Sequence, residues 1–342
     1  LLPGAAAAQK GRSAAAAAPD APRVQVVRKD ADRRVDVLVD GQPFTSYIYP
    51  ETIKKPVLYP IRSADGTVVT RGFPLEARPG ERVDHPHQVG FWLTHENVNG
   101  IDFWNNSTAR TAEEAPKLGT ILHKSVRTLK SGRGAGELEV SADWVDYRGK
   151  ILLHEDTRYV FRAAAHERAI DRTTTLTAAD EAVTLGDAKD GMLGLRVRRE
   201  LEQPADKPEI FTDAAGRQTA VPVLNNEGVT GSYHSSEGLD GDAVWGTRGR
   251  WASLSGTVQG KPITLAILDN PRNPGFPTYW HARGYGLFAA NPLGQKVFDK
   301  TKEQRALKLA PHASTTFRYR LLVLDGATSP AELERKYREF AR

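Results

Sequence analysis

Strand-like patterning dominates the chain from Val24 to Leu324, and nothing else in the sequence constrains the fold so strongly. Thr315-Thr316-Phe317-Arg318-Tyr319-Arg320-Leu321 alternates apolar and polar side chains. A period of two places successive side chains on opposite faces of a pleated strand. Similar alternating or β-branched runs occur at residues 24–27, 35–39, 44–49, 121–129, 136–145, 151–161, 170–177, 193–201, 251–258 and 263–268. Half-buried faces of this kind belong to antiparallel sheets; buried parallel sheets read as continuous apolar runs. Only one helix is strongly signalled. Ser329 as N-cap, Pro330 at the first helical position and Glu332 three residues after the cap precede Leu333, Tyr337 and Phe340 at helical spacing. The expected fold is all-β: one large antiparallel β-sandwich, supersandwich-like, over residues 24–342, closed by a C-terminal helix.

Residues 1–23 read differently. Two Ala runs, Pro19, Pro22 and a polar stretch after Ala8 read as a disordered leader or the remnant of a signal peptide, the latter implying a periplasmic or secreted protein. An apolar share of 39% in 342 residues is enough for a substantial core. With no cysteine, disulfides, thiolate metal sites and cysteine nucleophiles are excluded. The formal charge of +5 comes from 47 basic residues interleaved with 42 acidic ones, so no nucleic-acid-binding surface is expected. No apolar stretch is long enough for a membrane-spanning helix.

The densest chemistry lies in Asp84-His85-Pro86-His87-Gln88-Val89-Gly90-Phe91-Trp92, continuing through His95, Glu96, Asp102 and Trp104. Three of nine histidines fall in this window. On an extended backbone His85 and His87 point to one face, and Pro86 implies an edge, a bulge or a strand end. A second dense stretch runs from Asp269 to Gly286, with three prolines and then Tyr279, Trp280, His281, Arg283 and Tyr285. It reads as a strand giving way to a loop, a common position for binding residues. The two stretches are expected to line one pocket.

Aromatic rings beside His, Asp, Glu and Arg suit a carbohydrate, whose C–H face stacks on an indole and whose hydroxyls need charged or amide partners. Trp92, Trp104 and Trp280 are the stacking candidates, with Tyr279 beside them. Asp84, Glu96, Asp102, Arg71 and Arg283 are candidates for the polar rim, while Asp190 and Arg196 stand second. Phosphate loops, dinucleotide fingerprints, His-Glu-x-x-His helices and nucleophile elbows are absent from the sequence. His85 and His87 with a distant third ligand form a possible site for a divalent metal; no other cofactor is implied.

Lys55-Pro56-Val57-Leu58-Tyr59-Pro60-Ile61-Arg62-Ser63, Asp84-His85-Pro86-His87, Val98-Asn99-Gly100-Ile101-Asp102-Phe103-Trp104, Pro277-Thr278-Tyr279-Trp280-His281 and Ala290-Asn291-Pro292-Leu293-Gly294 resemble a bacterial family labelled PmoA-like or "methane oxygenase", also filed as a domain of unknown function. The resemblance runs from about residue 43 to the end. A membrane oxygenase requires spanning helices, which this chain lacks, so the label reads as a misnomer. The family pattern carries a basic residue where this chain has Gln88. The resemblance implies soluble, exported proteins of polysaccharide-degrading bacteria. By analogy, it also implies a fold like that of galactose mutarotases.

These readings lead to a carbohydrate-active enzyme that cleaves a glycosidic bond by hydrolysis or elimination. In the expected mechanism His85, His87 or His281 acts as base or acid, Asp84, Glu96 or Asp102 orients the imidazole, and Arg71 and Arg283 hold the substrate. The alternatives are a non-catalytic carbohydrate-binding protein and a cupin-like metal-dependent oxidase built on the His-x-His pair.

Overall fold

The computed structural model describes residues 21–342. The leader expected over residues 1–23 lies almost wholly outside the described residues, and Arg23 already opens the first strand, Arg23–Lys29. Two large antiparallel sheets face one another. The first has ten strands, in the order Arg248–Gly249, Thr278–Arg283, Leu287–Asn291, Gly191–Arg196, Phe91–His95, Val57–Leu58, Gln42–Ile48, Arg34–Val39, Arg23–Lys29 and Gly132–Arg133. The second has eight: Ser232–Ser235, Trp251–Val258, Lys261–Asp269, Ser314–Asp325, Glu167–Ala178, Ile151–Ala164, Ala135–Val145 and Thr120–Lys130. An all-β sandwich with a C-terminal helix is therefore the architecture.

Period-two patterning explains the core. Val35, Val37, Phe44, Leu93, Leu195 and Phe288 from one sheet meet Leu138, Tyr159, Ile170, Ile267, Phe317 and Val323 from the other, all nearly or fully buried. Phe44 and Phe161 touch edge to face across the interface, with centroids 6.2 Å apart. At Asp40-Gly41 both residues have positive φ, as a two-residue hairpin turn requires.

The helix Pro330–Phe340 starts as the sequence indicates, Ser329 Oγ accepting from the Glu332 amide at 3.2 Å. Leu333 and Tyr337 pack on Trp251, Ala266, Leu268 and Leu322 on the outside of the eight-stranded sheet. No helix among the described residues is long and apolar enough to cross a membrane.

Two expectations are corrected. The 193–201 run is a strand only over Gly191–Arg196 and then tightens into a 3-10 turn at Arg199–Leu201. Residues 278–283, expected in a loop, form an interior strand. There Trp280 and Ala282 enter the core while Tyr279, His281 and Arg283 occupy the other face, an alternation that the clustering of polar and aromatic types obscured.

Candidate active site

The outer face of the ten-stranded sheet carries the chemistry. Register aligns His281 with Ala289, Gly194 and Trp92 in one row, and Arg283 with Leu287 and Arg196 in another. The loops before and after Phe91–His95 fold over this face, covering Val57, Tyr59, Val89, Trp92 and Trp104 as an apolar layer.

Asp84 organises one half of the site. Its Oδ1 accepts from Arg71 Nη1 and Arg196 Nη2, each at 2.6 Å, and its Oδ2 lies 2.9 Å from His85 Nδ1. Burial alone would raise its pKa, but the Arg196 guanidinium, the His85 hydrogen bond and Arg71 hold the carboxyl well below its ordinary range. Arg71 also donates to the carbonyls of Asp84, His85 and Gln88 at 2.8, 2.9 and 3.1 Å. This clamp fixes a strained loop in which His85 has φ +44°. His85 and His87 are thus not neighbours on a strand; their rings meet edge to face, 5.6 Å apart. The His85 side chain is 40% exposed and its ring lies flat on Tyr285, 4.9 Å away at 4°. Arg196 sits against the same tyrosine ring at 4.8 Å and donates to Gln88 Oε1 at 2.6 Å.

Asp190 organises the other half. It precedes Gly191–Arg196, and its backbone exchanges two hydrogen bonds with Glu96: Glu96 N donates to Asp190 O at 2.8 Å, and Asp190 N donates to Glu96 Oε2 at 3.0 Å. Its Oδ1 lies 3.3 Å from His281 Nδ1. Burial, with Glu96 and Asp102 adding to it and Lys189 opposing, pushes the Asp190 carboxyl up to about 6. Burial, then Lys189 and Arg283, pushes His281 down to about 3, so its ring is neutral at physiological pH. His87 is lowered to about 2 by burial, with Lys55 and His85 adding to it. The two halves share one sheet face: Arg196, which donates to Asp84, lies two residues beyond Gly194, whose partner Ala289 pairs with His281.

The raised Asp190 pKa has a consequence for stability. Its folded pKa exceeds the unfolded value, so the folded state binds the proton more tightly, and stability falls as pH rises from about 4 through about 6. Urea denaturation of the protein and of Asp190→Asn across that range should show the wild type losing ground to the variant as pH rises. A pH-independent difference would contradict burial of this carboxyl.

Residues 34–338 match the model of a family described as of unknown function, DUF6807. The chain belongs to that family. This finding replaces the PmoA-like membership that the resemblance implied. No curated protein matches the sequence. Among solved structures similar to this DUF6807 chain, the GH36 α-galactosidase AgaB from Geobacillus stearothermophilus has 10% identity and a TM-score of 0.42, over 88% of this chain and 41% of that one. A galactose mutarotase-like protein from Clostridium acetobutylicum has 10% identity and a TM-score of 0.35, over 88% and 98% of the two chains. The α-galactosidase from Lactobacillus brevis has 13% identity and a TM-score of 0.34, over 90% and 39%. This chain thus spans less than half the length of either α-galactosidase, and likenesses this distant assign no activity.

Several roles expected from the sequence change in this DUF6807 structure. Trp92, Trp104 and Trp280 are fully buried and have no face to offer a sugar: the first two pack together 5.1 Å apart beneath the loops, and the third lies between the sheets. Tyr279 is covered by Phe298, which stacks on it at 5.6 Å. Arg71, 1% exposed, holds the loop and is not at a substrate rim. Asp102 caps its own turn, accepting from the amides of Trp104 and Asn105 at 2.8 and 2.9 Å, and orients no imidazole. Glu96 likewise holds the Asp190 backbone. His87 and His281 are buried. Among the described residues no three His, Asp or Glu side chains converge as metal ligands, so the His85 and His87 pair lacks the third ligand expected of a divalent-metal site.

Three residues take on weight that the sequence reading did not give them. Tyr285 supports His85, Gln88 holds Arg196, and Trp245 is 40% exposed with the Arg283 guanidinium 5.4 Å from its ring. A tryptophan isolated in the Gly- and Asp-rich stretch 240–246 was the available signal for the last.

Proposed function

We propose that this protein is a carbohydrate-active enzyme that cleaves a glycosidic bond, with His85 as base and Asp190 as acid. The observation that carries the reading is an exposed imidazole, oriented through Nδ1 by Asp84 and backed by Tyr285, on the same sheet face as a carboxyl that titrates near 6. An accessible imidazole and a carboxyl held up toward neutral pH suit coupled acid–base work. Asp190 gives its proton to the leaving glycosidic oxygen. His85 takes one from the attacking water in hydrolysis, or from a carbon beside a carboxyl or carbonyl group in elimination. The neutral His281 ring lies beside that carboxyl, its Nδ1 3.3 Å from Asp190 Oδ1 without a hydrogen bond between them. Trp245 and Arg283 replace the buried tryptophans as the stacking surface and polar rim.

Incubation with plant and algal polysaccharides and modified glycosides tests this. New reducing ends mark hydrolysis, and ultraviolet-absorbing unsaturated ends mark elimination. A panel with no product from folded protein, or product formation unchanged in His85→Asn, would overturn the proposal.

A further inference from the structure

Two clefts open at opposite ends of the four strands that carry the site. One, of about 780 Å³, is walled by Glu96, Asp102 and Lys189, the residues around Asp190, and extends to Glu113 and Lys117. The other, of about 450 Å³, is walled by Trp245, Arg283 and Tyr285, the last being the ring beneath His85. Register fixes their relation. Asp190 stands just before Gly191, where that strand begins, while Arg283 pairs with Leu287 and Leu287 with Arg196 at the far end. Five residue steps along Gly191–Arg196 span roughly 16 Å, and His281 lies in a row between the two ends. Asp190 adjoins Glu96 and Lys189 in the wall of the first cleft, and His85 lies on the Tyr285 ring that walls the second, so the pair stands between the two clefts.

We infer that the substrate is a neutral oligosaccharide or an internal stretch of a neutral glycan, lying along the strands with sugar units in both clefts and its reacting bond over His85 and Asp190. This rests on the acid–base reading of the same site. Each cleft alone falls in the range that holds a whole small ligand, so a single sugar would leave one of them filled with water. The chemistry of the two clefts differs. The larger carries more carboxylates than cations, Asp187 among them, and disfavours acidic sugars. The smaller offers the exposed Trp245 face and Arg283, whose guanidinium makes no ion pair or hydrogen bond among the described residues and packs against the Trp245 and Tyr285 rings.

Titration calorimetry with cello-, malto-, xylo- and manno-oligosaccharides of one to six units tests the inference. Affinity for the recognised series should rise at least tenfold from one unit to four and then level off. Trp245→Ala at one end, and the pair Glu113→Ala with Lys117→Ala at the other, should each remove part of that rise, several-fold per site. These side chains are exposed, and those of Glu113 and Lys117 make no hydrogen bond or ion pair among the described residues, so the variants should fold. A monosaccharide that binds as tightly as the hexamer, or variants at either end that leave the rise intact, would overturn the two-cleft inference while leaving the carbohydrate reading standing. A blank at every length in every series, with folded protein, would sink both.

Discussion

Asp84→Ala should lower stability by about 3–5 kcal/mol, the usual cost of removing one partner from a buried ion pair. Arg71 and Arg196, 1% and 0% exposed, both donate to Asp84 Oδ1 at 2.6 Å. Without that carboxylate, two guanidiniums face each other in an environment that already depresses Arg71 to about 9, through burial first and the Arg196 charge second. Asp84→Asn keeps an acceptor but no charge, and should fall between the alanine variant and the wild type. Urea denaturation measures the loss, and a change below about 1 kcal/mol for alanine would show that the arginines have found other partners. The pH dependence has a definite sign. Because the folded Asp84 pKa is depressed, its contribution is present above the unfolded carboxylate range and is lost as pH falls toward the folded value.

The second large effect is on rate. His85→Asn should reduce kcat on a cleaved glycan by a hundredfold or more, since a positioned proton-transfer group is typically worth that much. Asparagine is chosen because it tolerates the left-handed backbone that His85 adopts at φ +44°, so the clamped loop should stay in place. Asp190→Asn should act on the other limb of the pH profile. With the acid form lost as pH rises through about 6, the wild-type rate should decline above that pH, and the variant should be slow with that decline removed. A His85→Asn enzyme retaining more than a tenth of the wild-type kcat would remove His85 from the reaction.

The sandwich was legible because strand periodicity is local: the runs at 251–258 and 315–324 needed no tertiary information to be recognised. The two stretches 84–104 and 269–286 do meet, His85 lying on Tyr285, but they do not line the one pocket expected: residues 96–105 wall one cleft and 282–285 another. Side-chain direction was not legible. Trp92 and Trp280 have the composition of a sugar platform, but strand alternation and the covering loops put them inside. Asp102 and Glu96 are spent on backbone amides, which a list of residue types cannot reveal. Asp190 was ranked second because Asp-Gly usually marks a turn. Here Gly191 instead opens a strand, whose position brings the Asp190 carboxyl beside His281.

The Arg71 clamp bears on how relatives of this protein should be compared. A residue whose guanidinium reaches four loop carbonyls, those of Arg82, Asp84, His85 and Gln88, as well as a carboxylate has few acceptable replacements, whatever the chain catalyses. Invariance at Arg71 and Arg196 across an alignment would therefore reflect the demands of scaffolding and would be a poor guide to chemistry. The informative members are those that keep both arginines and Asp84 but vary at His85 or Asp190: they would retain the architecture after the reaction had been lost or exchanged, and would divide the lineage by activity.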